Sequence, residues 1–401
     1  MSALAESDAS PPIQSSAPPP AHSSSPPPPP PPLSDAAAAV LRLQDTERSA
    51  KRQRNGDGTY AKLWLELFLN VDLEECLRVR CAVASNLCFR ARDGAHLDVQ
   101  FVRRHLSPAD DARLLARLAT AARHAPQTSG FRVASDLDDT IVPGGYGALG
   151  VAGCDTTAPR GSFYAGCAAL HGELRPGGYS TLLTARPPRL VRALVASDRG
   201  AELLRALGPR LGLSPGASRT SEVGANLKNI LAARVGERAR RFESLAAYDA
   251  HARRRYGGLA DHKVREFADW AAAYPDGDGR FVFVGDDHQG DYLVARRLLR
   301  LACAAPGGAE GATRPLLAFA AIKHARRRGE PPDRDALPPA VLAEMVDETR
   351  GAAGGDARFF VFDSYHDLAA QLHAAGWLDR DAKNRVVEAS AQEQQANDFF
   401  G

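Results

Sequence analysis

Three aspartates occupy four consecutive positions in the segment DLDDT, residues 136–140. Taken alone, this segment fits an ordinary turn in which Asp139 or Thr140 caps a helix. It also fits the nucleophile loop of a metal-dependent phosphatase, where one carboxylate attacks phosphorus and a second, two residues later, transfers a proton. Other charged residues in the chain decide between these interpretations.

A second acidic segment, GDDHQGD at 285–291, contains Asp286, Asp287 and Asp291. Several carboxylates in one crevice repel each other strongly unless a cation neutralises them. Carboxylate oxygens are the ligands that hard divalent cations take, and Mg2+ suits phosphoryl transfer. The two acidic segments therefore predict a magnesium site. Two roles remain possible for Asp287: it could lie beside the cation, or it could belong to an ordinary tight turn.

A carboxylate that attacks phosphorus also needs partners for the charge that develops on the phosphoryl oxygens. Thr184 ends an apolar stretch and offers a neutral hydroxyl, with capping of the following helix as the alternative role. Lys263 lies on a predicted amphipathic helix ahead of the second acidic segment and offers an ammonium, with a surface lysine as the alternative. Lys228, in GANLKNIL, is the other candidate for the phosphate-binding lysine.

A repeating order of strand and helix begins at Phe131, which predicts a doubly wound parallel α/β sheet. The ligand crevice of such a sheet lies beyond the carboxyl ends of its strands, so polar residues that end different strands should converge. Asp136, Thr184 and Asp286 all end predicted strands. The predicted strands are 131–136, 179–185, 280–286, 315–322 and 358–363, and the predicted helices are 162–175, 187–207, 261–274, 290–302 and 364–376.

These motifs resemble those of the haloacid dehalogenase superfamily. The segment 136–140 fits its DxDxT signature, and Thr184, Lys263 and the loop 285–291 follow in its motif order. The flanking segments RGSFYAGCAALHGEL, TLLTARPPRLVRAL and FFVFDSYHDLAAQLHAAGWL are similar to the catalytic domain of actin patch protein type phosphatidate phosphatases, over roughly residues 131–378. The resemblance implies a haloacid dehalogenase-like Rossmannoid fold and magnesium-dependent removal of phosphate from phosphatidate-like lipids to give diacylglycerol.

The resemblance also implies roles for individual residues. Asp136 would be the nucleophile and Asp138 the acid and base. The chain departs from the family at Asp287-His288, where the family usually has a pair of small residues. The phosphoryl group would be bound by Thr184, Arg186 and Lys263, and the magnesium ion would be held by Asp136, Asp138, Asp286 and Asp291.

Length and composition define the class of protein. The chain has 401 residues, 44% of them hydrophobic, which is enough for a large core. Its formal charge of +2 gives no electrostatic reason to expect a nucleic-acid partner. No apolar run approaches the roughly 18 residues of a membrane span. The six cysteines form no CxxC pair, which argues against zinc and against a dense disulfide framework. We therefore expect a soluble cytoplasmic protein that meets a lipid substrate as a peripheral protein.

The chain divides into four predicted regions. Residues 1–58 form a tail rich in Pro, Ser and Ala followed by a charged linker, and the tail should be disordered. This tail could recruit proline-binding modules, although a spacer is the favoured interpretation. The catalytic domain of this family often follows a β-rich region, which residues 60–105 resemble only faintly. The four regions are the tail at 1–58, an N-terminal extension of unknown role at 59–127, the catalytic domain at 128–380 and a flexible C-terminal tail at 381–401.

Two other functions remain open at this point. A phosphatase of the same fold could act on a soluble phosphate ester or on a phosphoprotein. The chain could instead be an interaction protein that is recruited through its proline-rich tail, with the enzyme fold secondary. The intact set of acidic residues argues against an inactive enzyme fold.

Overall fold

The computed structural model describes most of the region between residues 59 and 400. The proline-rich segment 1–34, Arg186, Lys228 and the helix predicted at 187–207 lie outside the described residues. The described residues are 35, 59–77, 79–80, 99–104, 106–124, 130–144, 155–159, 162–174, 180–184, 213–220, 244–273, 281–287, 290–304, 313–315, 317–325, 341, 343–344, 346–347 and 358–400.

Six strands form one parallel sheet with the order β3-β2-β1-β4-β7-β8. A separate antiparallel pair is formed by β5 and β6. The strands are β1 (Arg132–Ser135), β2 (Ser180–Thr184), β3 (Leu213–Thr220), β4 (Phe281–Asp286), β5 (Ala302–Ala304), β6 (Thr313–Pro315), β7 (Leu317–Lys323) and β8 (Phe359–Phe362). The parallel α/β class predicted from the sequence is confirmed.

Helices cover both faces of the sheet. The described residues form two hydrophobic cores, one on each face of the sheet, and strand β4 contributes to both. Phe281 and Phe283 lie in the first core, and Val282 and Val284 lie in the second. A strand that is buried on both faces is apolar throughout, as the sequence FVFV is. The first core receives helices α1 (Thr59–Asn70), α2 (Val99–Arg104), α3 (Pro108–His124), α5 (Leu245–Ala273) and α6 (Asp291–Arg300), and the second receives α4 (Cys167–Leu174), α7 (Tyr365–Ala374) and α8 (Arg380–Phe400).

Each of the five predicted strands is present, and β3, β5 and β6 were not predicted. The sequence of β3, LSPGASRT, contains proline and glycine, which weaken a strand signal. Strand β3 lies at the edge of the sheet, where such residues are tolerated because one side needs no partner strand. The helix predicted at 261–274 is the C-terminal part of the longer α5.

The prediction of a flexible C-terminal tail at 381–401 is wrong, because residues 380–400 form α8. Ala382 and Val386, one helical turn apart, are buried in the second core. The Arg385 guanidinium donates to both carboxylate oxygens of Glu173 on α4, at 2.7 and 2.8 Å. The apolar spacing of this helix was hidden by its many polar residues, and packing against α4 and α7 stabilises it.

The N-terminal extension is helical in its described part, so the faint suggestion of a β-rich region is wrong there. Trp64 and Phe68 of α1 lie in the first core, which also contains residues of β4 and β7. Arg103 of α2 donates to the Asp269 carbonyl oxygen of α5 at 2.8 Å. The extension therefore packs on the same core as the sheet. None of the helices in the described part of the chain is long and apolar enough to cross a membrane.

Candidate active site

The strand order reverses between β1 and β4, so the connections after these two strands leave in opposite directions and open a crevice at their carboxyl ends. Asp136 follows β1 directly, and Asp286 is the last residue of β4. The two strands are joined at this point, because the Asp136 amide donates to the Val284 carbonyl oxygen at 2.8 Å. The sheet itself thus places the two aspartates side by side.

Asp136, Asp286 and Asp291 form a buried cluster. One carboxylate oxygen from each lies within 4.8 Å of the others, and all three residues are almost completely buried. Asp291 is the first residue of α6, and its carboxylate lies next to the end of β4. Gly285 permits this approach, because a Cβ atom there would lie 2.6 Å from Asp291 Oδ2. Gly290, with φ of 85°, supplies the left-handed residue that begins α6.

Lys263 supplies a positive charge to this cluster. Its Nζ atom lies 2.5 Å from Asp291 Oδ1 and 3.3 Å from Asp136 Oδ1, and the residue is 1% exposed. Burial lowers the pKa of Lys263, but attraction to Asp136 and Asp291 outweighs burial and raises the pKa above its ordinary value. The ammonium is therefore charged, and it lies between the proposed nucleophile and a proposed metal ligand.

One ammonium does not compensate three buried carboxylates. Burial raises the pKa of Asp136 to about 7, against the opposing attraction of Lys263. Burial, with repulsion from Asp291 and Asp136, holds the pKa of Asp286 well above its usual range. Burial also raises the pKa of Asp291, although Lys263 again opposes it. A cation among the three would favour their ionised forms.

The cluster fits a hard divalent cation. Its donors are carboxylate oxygens from three residues, which are the ligands of Mg2+ and Ca2+. The buried Oδ2 atom of Asp291 accepts no hydrogen bond from the described residues. A buried acceptor of this kind is available to a metal ion. The donor set is thus compatible with the magnesium predicted from the sequence, and it does not select magnesium over calcium.

The remaining residues of the DLDDT segment have different surroundings. Asp138, also predicted as a metal ligand, is buried but is not among the three clustered carboxylates. Asp139 adopts a left-handed conformation with φ of 58°, and its Oδ1 atom accepts from the amides of Gly144 and Asp155 at 2.7 and 3.0 Å. The Thr140 carbonyl oxygen accepts from the Tyr365 hydroxyl at 2.8 Å. Asp139 therefore holds the turn itself.

Of the predicted phosphoryl-binding residues, the structure brings Lys263 into the cluster. Thr184 is the last residue of β2, which pairs with β1, so its backbone lies at the same edge of the sheet as Asp136. Arg186 and Lys228 lie outside the described residues.

Asp287 belongs to a group beside the cluster. Its carboxylate accepts from the Ala325 amide at 3.0 Å and lies 2.8 Å from His324 Nδ1. Its own amide donates to the Lys323 carbonyl oxygen at 3.0 Å. The Asp287 carboxylate thus contacts His324 and Ala325, the two residues that follow β7.

Lys323, Asp155 and Tyr164 also lie beside the cluster and were not predicted from the sequence. Lys323 ends β7 and pairs in register with Asp286 on β4. Its Nζ atom lies 2.7 Å from Asp155 Oδ2 and 3.8 Å from the centre of the Tyr164 ring. The rule that singled out Asp286, a polar residue at the end of an apolar strand, would have found Lys323 as well. Nothing local in the sequence marks Asp155 as its partner.

Comparisons with protein-family models, with curated proteins and with solved structures found no match to this chain. The fold and the site therefore define its class by themselves. The chain is a parallel α/β protein with helices on both faces of the sheet. Its crevice contains a buried carboxylate cluster that could hold a metal ion.

The buried cluster predicts that stability depends on pH and on cations. The folded-state pKa of Asp136, about 7, lies above the unfolded value of about 3.9. Its protonated form therefore stabilises the metal-free fold at low pH, and that contribution is lost as pH rises through about 7. Because a cation binds the ionised ligands, Mg2+ should raise the melting temperature by about 5 °C or more near pH 8 and much less near pH 5.

Scanning calorimetry in chelator and in excess MgCl2 measures this effect. Sodium chloride at equal ionic strength is the control for screening. The variant Asp291→Asn, which removes one clustered charge, should show a smaller response to Mg2+. An equal magnesium shift at both pH values would contradict a site made of these carboxylates.

Proposed function

We propose that the chain is a magnesium-dependent phosphatase that forms an aspartyl-phosphate on Asp136 and hydrolyses phosphatidate-like lipid phosphate monoesters to diacylglycerol. The observation that carries the phosphatase proposal is the cluster of Asp136, Asp286 and Asp291 with Lys263 at the crevice of the sheet. The lipid substrate is supported by the resemblance of residues 131–378 to phosphatidate phosphatases.

In the first step, the Asp136 carboxylate attacks phosphorus and the bond between phosphorus and the ester oxygen breaks. Asp138 donates a proton to the departing alcohol oxygen. In the second step, water attacks the aspartyl-phosphate and Asp138 accepts a proton from that water. Phosphate leaves, and Asp136 returns to its carboxylate form with Asp138 protonated. The burial of Asp138 in the same turn as Asp136, two residues away, supports this role.

Lys263 acts on the charge of the reacting groups. Its Nζ atom, 3.3 Å from Asp136 Oδ1, favours the ionised form of the nucleophile and can interact with a phosphoryl oxygen on phosphorus attached there. Thr184 and Arg186 would complete the phosphoryl site. Magnesium held by Asp136, Asp286 and Asp291 would neutralise negative charge on the phosphoryl oxygens.

The proposal includes the place where the reaction occurs. A phosphatidate-like substrate lies in a membrane surface, so the enzyme would meet it as a peripheral, cytoplasmic protein. The proline-rich segment 26–32 could recruit proline-binding modules. We propose no nucleic-acid partner, since the chain is nearly neutral overall.

Phosphate release from a panel of substrates tests the function. Wild-type protein should release phosphate from phosphatidate in mixed vesicles with Mg2+ and not with a chelator. Its kcat/KM for phosphatidate should exceed that for glycerol phosphate, para-nitrophenyl phosphate or a phosphopeptide by at least about tenfold, because the acyl chains add binding energy. Release from soluble esters alone would reject the lipid substrate and keep the phosphatase. No release from any substrate would reject both.

A further inference from the structure

A second buried lysine lies beside the site and has no role in the proposed chemistry. Lys323 is 2% exposed, and its ammonium contacts the Asp155 carboxylate at 2.7 Å and the face of the Tyr164 ring at 3.8 Å. It also donates to the His324 carbonyl oxygen at 3.2 Å. Buried ion pairs cost desolvation energy and are weak stabilisers by themselves. The position of this pair beside Asp286 suggests a role other than stability.

Asp155 is held firmly on the other side of the pair. It is completely buried, and its Oδ1 atom accepts from the amide and the hydroxyl of Thr157 at 2.7 and 2.5 Å. Burial raises the pKa of Asp155, but attraction to Lys323 and the hydrogen bonds from Lys323 and Thr157 together outweigh burial and lower the pKa below its ordinary value. The Asp155 carboxylate is therefore ionised, and its contact with Lys323 Nζ ties it to the end of β7.

Asp155 in turn holds the DLDDT segment. Its amide donates to Asp139 Oδ1 at 3.0 Å, and the Gly144 amide donates to the same oxygen at 2.7 Å. Among the described residues other than glycine, Asp139 is the one with a positive φ, 58°. This conformation is uncommon for a residue with a side chain and persists when its surroundings hold it. Asp139 directly follows Asp138, so the contacts that hold Asp139 also restrain the turn of backbone on which Asp138 lies.

We propose that Lys323 and Asp155 form a positioning pair that fixes Asp139 and thereby aims the Asp138 carboxylate at the leaving oxygen. The connection runs from Lys323 on β7 through Asp155 to Asp139, so the sheet, rather than the loop alone, determines the geometry of the acid and base. Lys323 and Asp155 are positioning residues and contact no reacting atom. The inference rests on the proposed function as far as the role of Asp138 is concerned.

Three variants separate positioning from stability: Lys323→Met, Asp155→Asn and the double variant. Each single change leaves a buried charge without its partner and should lower the melting temperature by about 10 °C. The double variant removes both charges and should regain most of that loss. In all three, kcat should fall about 100-fold, because the Asp138 carboxylate is misplaced, while KM changes little. A pair with only a structural role predicts that kcat recovers together with the melting temperature.

Hydrogen exchange supplies a measurement that needs no activity. Amides in the peptide 136–144 should exchange at least about tenfold faster in the double variant than in wild type, whereas peptides of α8 should not change. Arg385→Gln is the matched control, because it breaks an ion pair that is exposed rather than buried. The side chain of Arg385, which pairs with Glu173, is 52% exposed. Exposed pairs contribute little, so this variant should keep its activity and nearly all of its melting temperature.

Two results would overturn the inference. One is wild-type kcat in a double variant with a recovered melting temperature, and the other is unchanged exchange in the peptide 136–144. If the single variants do not fold, the double variant still decides between these outcomes. If wild-type protein releases no phosphate from any ester, the proposed function fails, while the exchange measurement still shows whether Lys323 and Asp155 hold the DLDDT segment.

Discussion

Replacing Asp136 with asparagine should lower kcat for phosphate release by at least about 10,000-fold. The amide has nearly the shape of the carboxylate, but it does not attack phosphorus. The loss should come without unfolding, because Asp136→Asn removes one of three buried charges that repel each other. Without a cation and near pH 8, the melting temperature of the variant should therefore equal or exceed that of wild type. Calorimetry together with phosphate release from phosphatidate vesicles measures both effects.

The matched control for this experiment is Asp381→Asn. Asp381 is an exposed aspartate in the first turn of α8, and its replacement makes the same chemical change away from the crevice. This variant should keep its activity. Full magnesium-dependent turnover by Asp136→Asn would be incompatible with an aspartyl-phosphate on this residue, whatever the substrate.

The second large effect is expected for Lys263→Met. The change removes the ammonium that lies 2.5 Å from Asp291 and 3.3 Å from Asp136, and it leaves three buried carboxylates without a cation. Breaking a buried ion pair on one side costs about 3–5 kcal/mol of unfolding free energy, and the metal-free variant should lose about that much. Mg2+ should restore much of the stability, since it also neutralises the carboxylates, but kcat should stay about 1,000-fold below wild type because a phosphoryl partner is missing.

Urea unfolding with and without Mg2+, combined with kcat, distinguishes these two effects of Lys263. Lys62→Met is the matched control, because Lys62 is an exposed lysine on α1. If Lys263→Met loses stability and keeps its activity, Lys263 is a counter-ion of the cluster only. The phosphate-binding lysine would then be sought at Lys228, and Lys228→Met should give the loss of kcat.

Much of the fold could be predicted because patterns of a few neighbouring residues determine its central strands. The run FVFVG followed by aspartate predicts a strand that is buried on both faces, and β4 has that form. The rule that polar strand ends converge placed Asp136 and Asp286 in one crevice, and the structure brings their carboxylates together. Strand β3 and helix α8 were missed for one reason. Their own residues signal strand or helix weakly, and contact with the rest of the fold stabilises them.

The sequence alone determined the parallel α/β class, the approximate bounds of the central strands and the two acidic segments that follow β1 and β4. These features depend on residue periodicity and on chemistry within a few positions. The tertiary structure was needed to show that Asp291, and not Asp138, shares a cluster with Asp136, and that Lys323 binds Asp155. Such contacts join residues that are far apart in the chain. Their geometry depends on loop paths, strand register and burial acting together, which no short stretch of residues specifies.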